Sequence, residues 1–145
     1  MKKQISEETA LGRVAALCSG SEHCEAEVRA KLDAWEIDAE AQKRIVAYLY
    51  KERFLDENRY ANFFAHDKLR YNQWGRGKLR YMMCALQLPE EAIRQALEEI
   101  DDEEHEAVRQ ALIEKKNREI KDKDPYTRKA KLQRFLYSRG FSPDI

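Results

Sequence analysis

Apolar side chains recur three or four positions apart along the chain, and no segment alternates apolar and polar residues beside a tight turn as hairpin strands would. This spacing places the apolar residues of each segment on one face of an α-helix. The stripes run through Leu11–Cys18, Val28–Trp35, Ile45–Tyr50, Tyr60–Leu69, Leu79–Leu86, Ile93–Ile100, Val108–Ile113 and Leu132–Leu136. The sequence therefore predicts an all-α protein in which each helix buries one face.

Residues that favour helix ends lie between the stripes. Aspartates that precede a stripe predict N-caps, because their carboxylates accept hydrogen bonds from the free N–H groups of the first turn. These are Asp38, Asp56 and Asp124. Pro89 is predicted at the first position of a helix, where its missing N–H is not needed, and Gly140 is the predicted C-terminal cap of the last full helix.

The helical pattern repeats along the chain. A displacement of roughly 50 residues brings apolar positions onto apolar positions and helix breaks onto helix breaks. The aligned positions are Val28, Leu79 and Leu132; Leu32, Met83 and Leu136; and Ile37, Leu88 and Phe141. Units of this size cannot each bury a large core, so neighbouring units are expected to share theirs in an elongated array.

The predicted fold is thus an elongated tandem array of three-helix repeats. Residues 1–58 hold the N-terminal helices and repeat 1, residues 59–108 hold repeat 2, and residues 109–145 hold an incomplete repeat 3. Ser142 and Pro143 resemble a helix start with two residues behind them, so repeat 3 is expected to lack its last helix.

Composition narrows the function classes. The 145 residues include 27 Lys and Arg and 27 Asp and Glu, so the formal net charge is zero, which argues against nucleic-acid binding through bulk charge alone. No apolar run approaches the ~20 residues of a membrane span, and no secretory signal is visible. The 3 Cys residues are an odd number and do not indicate a disulfide framework. We expect a cytoplasmic protein without membrane contact.

The zero net charge conceals strong segregation along the chain. Residues 67–80 carry a net charge of +4, residues 90–106 carry −8 and residues 107–145 carry +6. Clustered Lys and Arg can steer an acidic partner, whereas charges interleaved along a helix can also pair with each other on a solvated face. Both interpretations stay open for the two basic segments. Trp74 likewise could stack on a base or pack its loop onto the next helix.

Catalytic and metal-binding motifs are not recognisable. No nucleophile lies in a known nucleophile-and-base motif, and Gly75 and Gly77 lack the spacing of a phosphate-binding loop. Cys18, His23 and Cys24 lie close together, but structural zinc needs four ligands. The histidines are expected to face solvent or to cap helices. We therefore expect neither an enzyme nor a bound cofactor or metal.

Four segments, in this order and at this spacing, resemble the RecX family, which regulates the RecA recombinase: Glu22–Val28, Phe54–Ala61, Trp74–Leu79 and Phe135–Phe141. The resemblance extends over about residues 10–145. It implies an all-helical protein of three-helix tandem repeats that binds the RecA filament on single-stranded DNA, and we expect this protein to be a monomer. It also implies that such binding restrains the ATPase, strand-exchange and coprotease activities of RecA, with consequences for recombination, DNA repair and the SOS response.

The expected partner contacts are the basic and aromatic residues of the two basic segments. They are Arg70, Trp74, Arg76, Lys78 and Arg80 in repeat 2, and Arg128, Lys129, Lys131 and Arg134 in repeat 3. Two other functions remain compatible with the same residues. One is a stand-alone DNA- or RNA-binding protein, and the other is a structural helical adaptor.

Overall fold

Across residues 5–145, which are the residues that the computed structural model describes, the protein has eight α-helices and no strand. The helices are α1 (Glu7–Gly20), α2 (Glu25–Ala34), α3 (Ala39–Lys51), α4 (Glu57–Asn72), α5 (Arg76–Ala85), α6 (Glu90–Glu99), α7 (Asp102–Glu119) and α8 (Pro125–Ser138). The all-α prediction is confirmed.

The predicted N-caps are present. The carboxylates of Asp38, Asp56 and Asp124 each accept a hydrogen bond from the backbone N–H three residues later, at 2.8, 3.0 and 2.9 Å. The position assigned to Pro89 was wrong by one residue, since Pro89 is itself the N-cap and α6 begins at Glu90. Its ring fixes φ at −61°, but its ψ of 142° is extended, so the first helical residue follows it.

We call α1–α3 unit 1, α4–α6 unit 2 and α7–α8 unit 3. The middle helices α2, α5 and α8 end in the same turn, a residue with positive φ followed by a buried apolar residue. The pairs are Glu36–Ile37, Gln87–Leu88 and Gly140–Phe141. In each pair the backbone N–H of the apolar residue donates to the carbonyl of the residue five positions earlier. The three distances are 3.0, 3.2 and 3.0 Å, and this hydrogen bond defines a Schellman motif. The repeat is thus present in the backbone hydrogen bonds as well as in the sequence.

The buried residues form two apolar cores. One core lies within unit 1, around Leu32, Ile45 and Leu49. The other is continuous through units 2 and 3, and it also takes in Cys24 at the start of α2. Core sharing between neighbours is therefore extensive between units 2 and 3. The division of the chain at residues 58 and 108 stays a prediction; α4 begins at Glu57 and α7 at Asp102.

Unit 1 meets unit 2 through a narrow, largely polar joint. The Tyr50 hydroxyl lies 2.9 Å from a Glu25 carboxylate oxygen and 2.7 Å from one of Glu57. Arg59 forms an ion pair with Glu22 at 2.5 Å, and the Cys24 side chain packs in the same core as Tyr60. These contacts set the direction in which unit 2 continues from unit 1.

The surface area agrees with an elongated molecule. The chain exposes 9426 Å², whereas a compact monomer of 17.1 kDa exposes about 7,800 Å². Among the helices of residues 5–145, none has both the length and the apolar composition needed to cross a bilayer.

The turn at the end of α8 generates a stability prediction. Gly140 has φ of +89°, and a Cβ there would collide with the backbone nitrogen of Lys78. We expect Gly140→Ala to lower the free energy of unfolding by about 2–4 kcal/mol, because neither the turn nor the α5 backbone can move away. Urea denaturation followed by far-UV circular dichroism measures this change.

Gly12→Ala is the matched control. Gly12 lies within α1, and a Cβ there would meet no atom within 4 Å. That change is expected to be neutral or to stabilise the protein by about 0.5–1 kcal/mol. Equal effects of the two substitutions would show that the turn is not a tight contact.

Candidate partner-binding surface

The first turn of α5 is held by unit 3. The N–H of Gly75 donates to the Arg139 carbonyl at 2.7 Å, and the N–H of Gly77 donates to the Gly140 carbonyl at 3.0 Å. Helix N-termini carry N–H groups without an intrahelical acceptor, and C-terminal turns carry free carbonyls. The α5 N-terminus and the α8 C-terminus therefore satisfy each other, and their opposite helix-dipole ends meet.

The glycines at this junction are required by its close approach. A Cβ on Gly75 would lie 2.5 Å from the Gly140 carbonyl oxygen, and one on Gly77 would lie 3.2 Å from the same atom. A larger residue at position 75 would separate α5 from α8, whereas one at position 77 would require a shift of a few tenths of an ångström. The glycines therefore serve packing between units 2 and 3.

His105 of α7 completes this junction. Its Nε2 accepts a hydrogen bond from the Arg76 N–H at 3.1 Å, and its ring lies 4.7 Å from the ring of Phe141, centroid to centroid. Burial and then the nearby Arg76 charge lower the pKa of His105 below its ordinary 6.5. The imidazole is thus neutral when it accepts from Arg76. The sequence predicts that His105 faces solvent or caps a helix. In the structure it caps the N-terminus of α5, which belongs to unit 2, whereas His105 itself belongs to unit 3.

Two of the nine candidate residues use their side chains to cap helix C-termini. The Arg76 guanidinium donates to the carbonyls of Leu97 at 3.3 Å and Ile100 at 3.0 Å, and it pairs with Asp102 at 2.7 Å. It is therefore committed to the α6–α7 connection.

Arg128 has the same role at the end of α7. Its guanidinium donates to the carbonyls of Ile120 at 2.7 Å, Asp122 at 2.9 Å and Asn117 at 2.8 Å. Because all three acceptors belong to the chain itself, little donor capacity is left for a partner.

Trp74 is half-buried and lies between charged and apolar neighbours. Its ring lies 6.2 Å from that of Phe64, while the ammonium groups of Lys68 and Lys78 lie 5.8 and 4.9 Å from its centroid. The Phe64 ring and Lys68 belong to the preceding helix α4 and Lys78 to the following helix α5, so Trp74 lies between both; stacking on a base stays a prediction. These contacts also bring Lys78 and Trp74 together on the surface of unit 2.

Arg70 and Arg80 form ion pairs at the surface. Arg70 lies 3.4 Å from Glu104 and Arg80 lies 2.6 Å from Glu90. Exposed pairs of this kind contribute about 0–1 kcal/mol, so a partner's anion can displace the carboxylate at little cost.

The remaining candidates lie on α8. Lys131 pairs with Asp122, whereas Lys129 and Arg134 are exposed and have no ion-pair partner among residues 5–145. Lys131 and Arg134 line a groove of about 780 Å³ between the end of α7 and α8. Its lining is Lys116, Glu119, Ile120, Lys121, Asp122, Lys131, Arg134 and Phe135.

Sequence analysis missed two cations of this groove, Lys116 and Lys121. They lie in the second basic segment, for which the sequence leaves both partner binding and a solvated helix face open. In the structure the Lys116 ammonium lies 4.9 Å from the Phe135 ring, and Lys121 lines the groove beside Arg134. Only the folding of α7 back against α8 reveals this grouping, so no sequence signal could have separated these lysines from their neighbours.

The basic candidates therefore fall into two classes. Arg76 and Arg128 stabilise the fold, while Lys129 and Arg134 offer unpaired charge, with Arg70, Lys78, Arg80 and Lys131 between these extremes. Within residues 5–145, no group of three or more His, Cys, Asp or Glu side chains is arranged to hold a metal ion. The roles of all nine residues in partner binding stay predictions.

Comparisons with known proteins give one consistent result. A family model described as the second three-helix domain of RecX matches residues 56–97, and one described as the third matches residues 102–145. Together these models cover more than half of the chain.

Curated relatives carry the name regulatory protein RecX. One from Clostridium botulinum is 34% identical over 123 residues, which cover 83% of this chain and 57% of the relative. One from Salmonella arizonae is 26% identical, with 92% of this chain and 85% of the relative covered. The chain spans a little over half the length of the clostridial relatives it matches.

Solved structures share the fold. A crystal structure of regulatory protein RecX superposes with a TM-score of 0.86 at 22% identity, covering 94% of this chain and 68% of the other. RecX from Lactobacillus salivarius gives a TM-score of 0.80 at 16% identity, covering 94% and 88%. At these identities the superpositions show the fold alone.

The His105 junction generates a pH prediction. Because the folded-state pKa is lowered, the unfolded chain binds the proton first, and the stabilising contact is fully present only above about pH 6.5. We expect the urea midpoint to fall as the pH decreases from 6.5 toward the folded-state pKa. His105→Gln should be less stable at neutral pH and should lose this part of the acid sensitivity.

His66→Gln is the control for this prediction. His66 is exposed on α4, and its Nδ1 contacts only the Asn62 carbonyl of its own helix. This variant should keep the wild-type dependence of the urea midpoint on pH. Identical pH profiles for wild type and His105→Gln would contradict the assigned role of His105.

Proposed function

The chain belongs to the RecX family, and from this premise we propose that it regulates the RecA recombinase by binding the RecA filament on single-stranded DNA. In this proposal, binding inhibits the filament and restrains its ATPase, strand-exchange and coprotease activities. Family membership carries the proposal. The elongated shape of the molecule and the distribution of its unpaired basic side chains support it.

The elongated shape suits a filament partner. Three units in series present a long face, and a continuous core keeps units 2 and 3 in a fixed relation. A filament repeats the same protomer surface, so such a face can contact more than one protomer. Each added contact raises the effective concentration of the next, and modest individual contacts then suffice.

The available charge lies mainly on unit 3. Lys129 and Arg134 have unpaired side chains there, and Lys116 and Lys121 lie close to Arg134. On unit 2, Arg70 and Arg80 have only exposed ion pairs to exchange. We assign the filament contact to these side chains, with unit 3 contributing most.

Inhibition follows from bridging neighbouring protomers. RecA protomers must move relative to one another during a hydrolysis cycle and must be added at a filament end during growth. A rigid body bound to two protomers opposes both movements. The continuous core of units 2 and 3 provides that rigidity.

A stand-alone nucleic-acid-binding function is the second candidate. The unpaired cations of unit 3 favour it, because phosphates would bind them without RecA. In that case, affinity for free DNA should decrease steeply with salt when RecA is absent. The structural-adaptor alternative requires that charge reversal at Lys78 and Arg80 leaves partner binding intact.

The proposal predicts a charge-dependent effect on RecA. Adding the wild-type protein to RecA, single-stranded DNA and ATP should reduce the steady-state rate of ATP hydrolysis. The double variant Lys129→Glu/Arg134→Glu should require at least about tenfold more protein for the same reduction, since each reversal replaces an attraction with a repulsion.

The control is Lys31→Glu/Lys43→Glu, which changes the net charge equally at exposed positions of unit 1. It should inhibit as the wild type does. Unchanged ATP turnover with excess wild-type protein would remove the proposed function. Equal loss in both double variants would show that overall charge, and not the unit 3 surface, governs binding.

A further inference from the structure

The groove between the end of α7 and α8 combines charges of both signs with apolar surface. Its cations are Lys116, Lys121, Lys131 and Arg134, and its carboxylates are Glu119 and Asp122. The apolar part of the lining is Ile120, which is buried, and Phe135, which is half-buried. We call the surface formed by these eight residues the α7–α8 groove.

Hydrogen bonds within the chain fix the shape of the α7–α8 groove. The Arg128 guanidinium donates to the carbonyls of Ile120 at 2.7 Å and Asp122 at 2.9 Å, which holds the connection between the two helices. The Lys131 ammonium pairs with the Asp122 carboxylate and holds the pKa of that carboxyl below its ordinary value, so Asp122 stays ionised. A groove that is formed before its ligand arrives loses less conformational freedom on binding.

The aromatic ring of the groove is already in contact with cations. The Lys116 ammonium lies 4.9 Å from the centroid of the Phe135 ring, and the Arg139 guanidinium lies 5.2 Å from it. A base could stack on Phe135 only by displacing one of these cations. An aliphatic side chain needs only the part of the ring that lines the groove, together with Ile120. The apolar lining therefore favours an aliphatic side chain over a base.

The mixed charge of the groove distinguishes a polypeptide from a nucleic acid. Within the part of the chain that the structure describes, Lys121 and Arg134 have no ion-pair partner, and neither has Glu119. The backbone of a nucleic acid carries a continuous row of phosphates, which Glu119 and Asp122 would repel. A polypeptide carries backbone N–H donors as well as side-chain carboxylates, so it can satisfy the acidic and the basic groups of the groove together.

We propose that the α7–α8 groove binds a short acidic segment of a partner protein. Carboxylates of the segment pair with Lys116, Lys121 and Arg134, a backbone N–H donates to Glu119, and aliphatic side chains pack against the apolar lining. The inference rests on the proposed function and deepens it, because it makes the unit 3 contact a contact with the protein of the filament and not with its DNA.

The test uses a short fluorescein-labelled peptide in which leucines alternate with aspartates and glutamates. Binding to the full chain is followed by fluorescence anisotropy in RecA-free buffer. The same peptide with serine in place of every leucine should bind at least about tenfold more weakly, because it loses the burial of apolar surface. A peptide with lysine in place of every acidic residue should not bind, because the groove has an excess of cations.

The groove variant is Lys121→Glu/Arg134→Glu, which should bind the leucine peptide at least about tenfold more weakly than wild type, since attraction becomes repulsion. The matched control is Lys115→Glu/Arg118→Glu. These two residues are exposed on α7 and do not line the groove, and the change in net charge is the same. The control should bind the peptide as wild type does, and circular dichroism should show both variants folded.

Three peptide results would each overturn the groove assignment: no binding of the leucine peptide by wild type, equal binding of the leucine and serine peptides, or equal losses in the two double variants. Oligo(dT) provides the test against a nucleic-acid ligand. If Lys121→Glu/Arg134→Glu loses binding of oligo(dT) but keeps binding of the peptide, the groove belongs to nucleic acid and the proposal is wrong.

A second measurement separates this inference from the proposed function. Excess leucine peptide should restore the rate at which RecA hydrolyses ATP in the presence of the wild-type protein. Inhibition that persists at saturating peptide would overturn the groove as the filament contact while leaving the proposed function intact. Specific peptide binding by a protein that never inhibits RecA would support the groove and overturn the proposed function.

Discussion

The arrangement of units 2 and 3 depends on one contact, the junction of the α5 N-terminus with the α8 C-terminal turn. Three successive N–H groups, those of Gly75, Arg76 and Gly77, find their acceptors in unit 3. Without that unit they would be free donors at a partly buried helix end, which is costly. Unit 3 therefore completes unit 2, and the continuous apolar core follows from this contact. Glycine at 75 and 140 is what permits the backbones to approach so closely.

Hydrogen bonds within the chain also determine which basic side chains remain available to a partner. A basic side chain either stabilises the fold or remains available to a partner, depending on which backbone carbonyls lie near it. Arg76 donates to carbonyls at the end of α6 and Arg128 to carbonyls at the end of α7, so each fixes the end of another helix of its own unit. Lys129 and Arg134 lie on the outer surface of α8, where no such acceptor is within reach among the described residues. The candidate partner-binding surface consists of the basic side chains that do not cap helix ends in this way.

The two joints between neighbouring units differ in their chemistry. Units 2 and 3 share a core, whereas unit 1 keeps its own core and contacts unit 2 mainly through Tyr50, the Glu25 and Glu57 carboxylates and the Arg59–Glu22 ion pair. Polar surface contacts of this kind are weaker than a shared apolar core. The proposed partner surfaces all lie on the rigid part, which suits a regulator that must hold its contacts in a fixed geometry.

The sequence by itself determined the all-α class, the helix caps at Asp38, Asp56 and Asp124 and the repeat, because these depend on spacing and on interactions within a few residues. It also placed net positive charge in two segments. Only the tertiary structure decided that Arg76 and Arg128 cap helices, that His105 accepts from α5, and that Lys116, Lys121 and Arg134 line one groove. The physical reason is that capping and groove formation join residues from different helices, and the pattern within one helix carries no information about which carbonyl or ring the next helix will present.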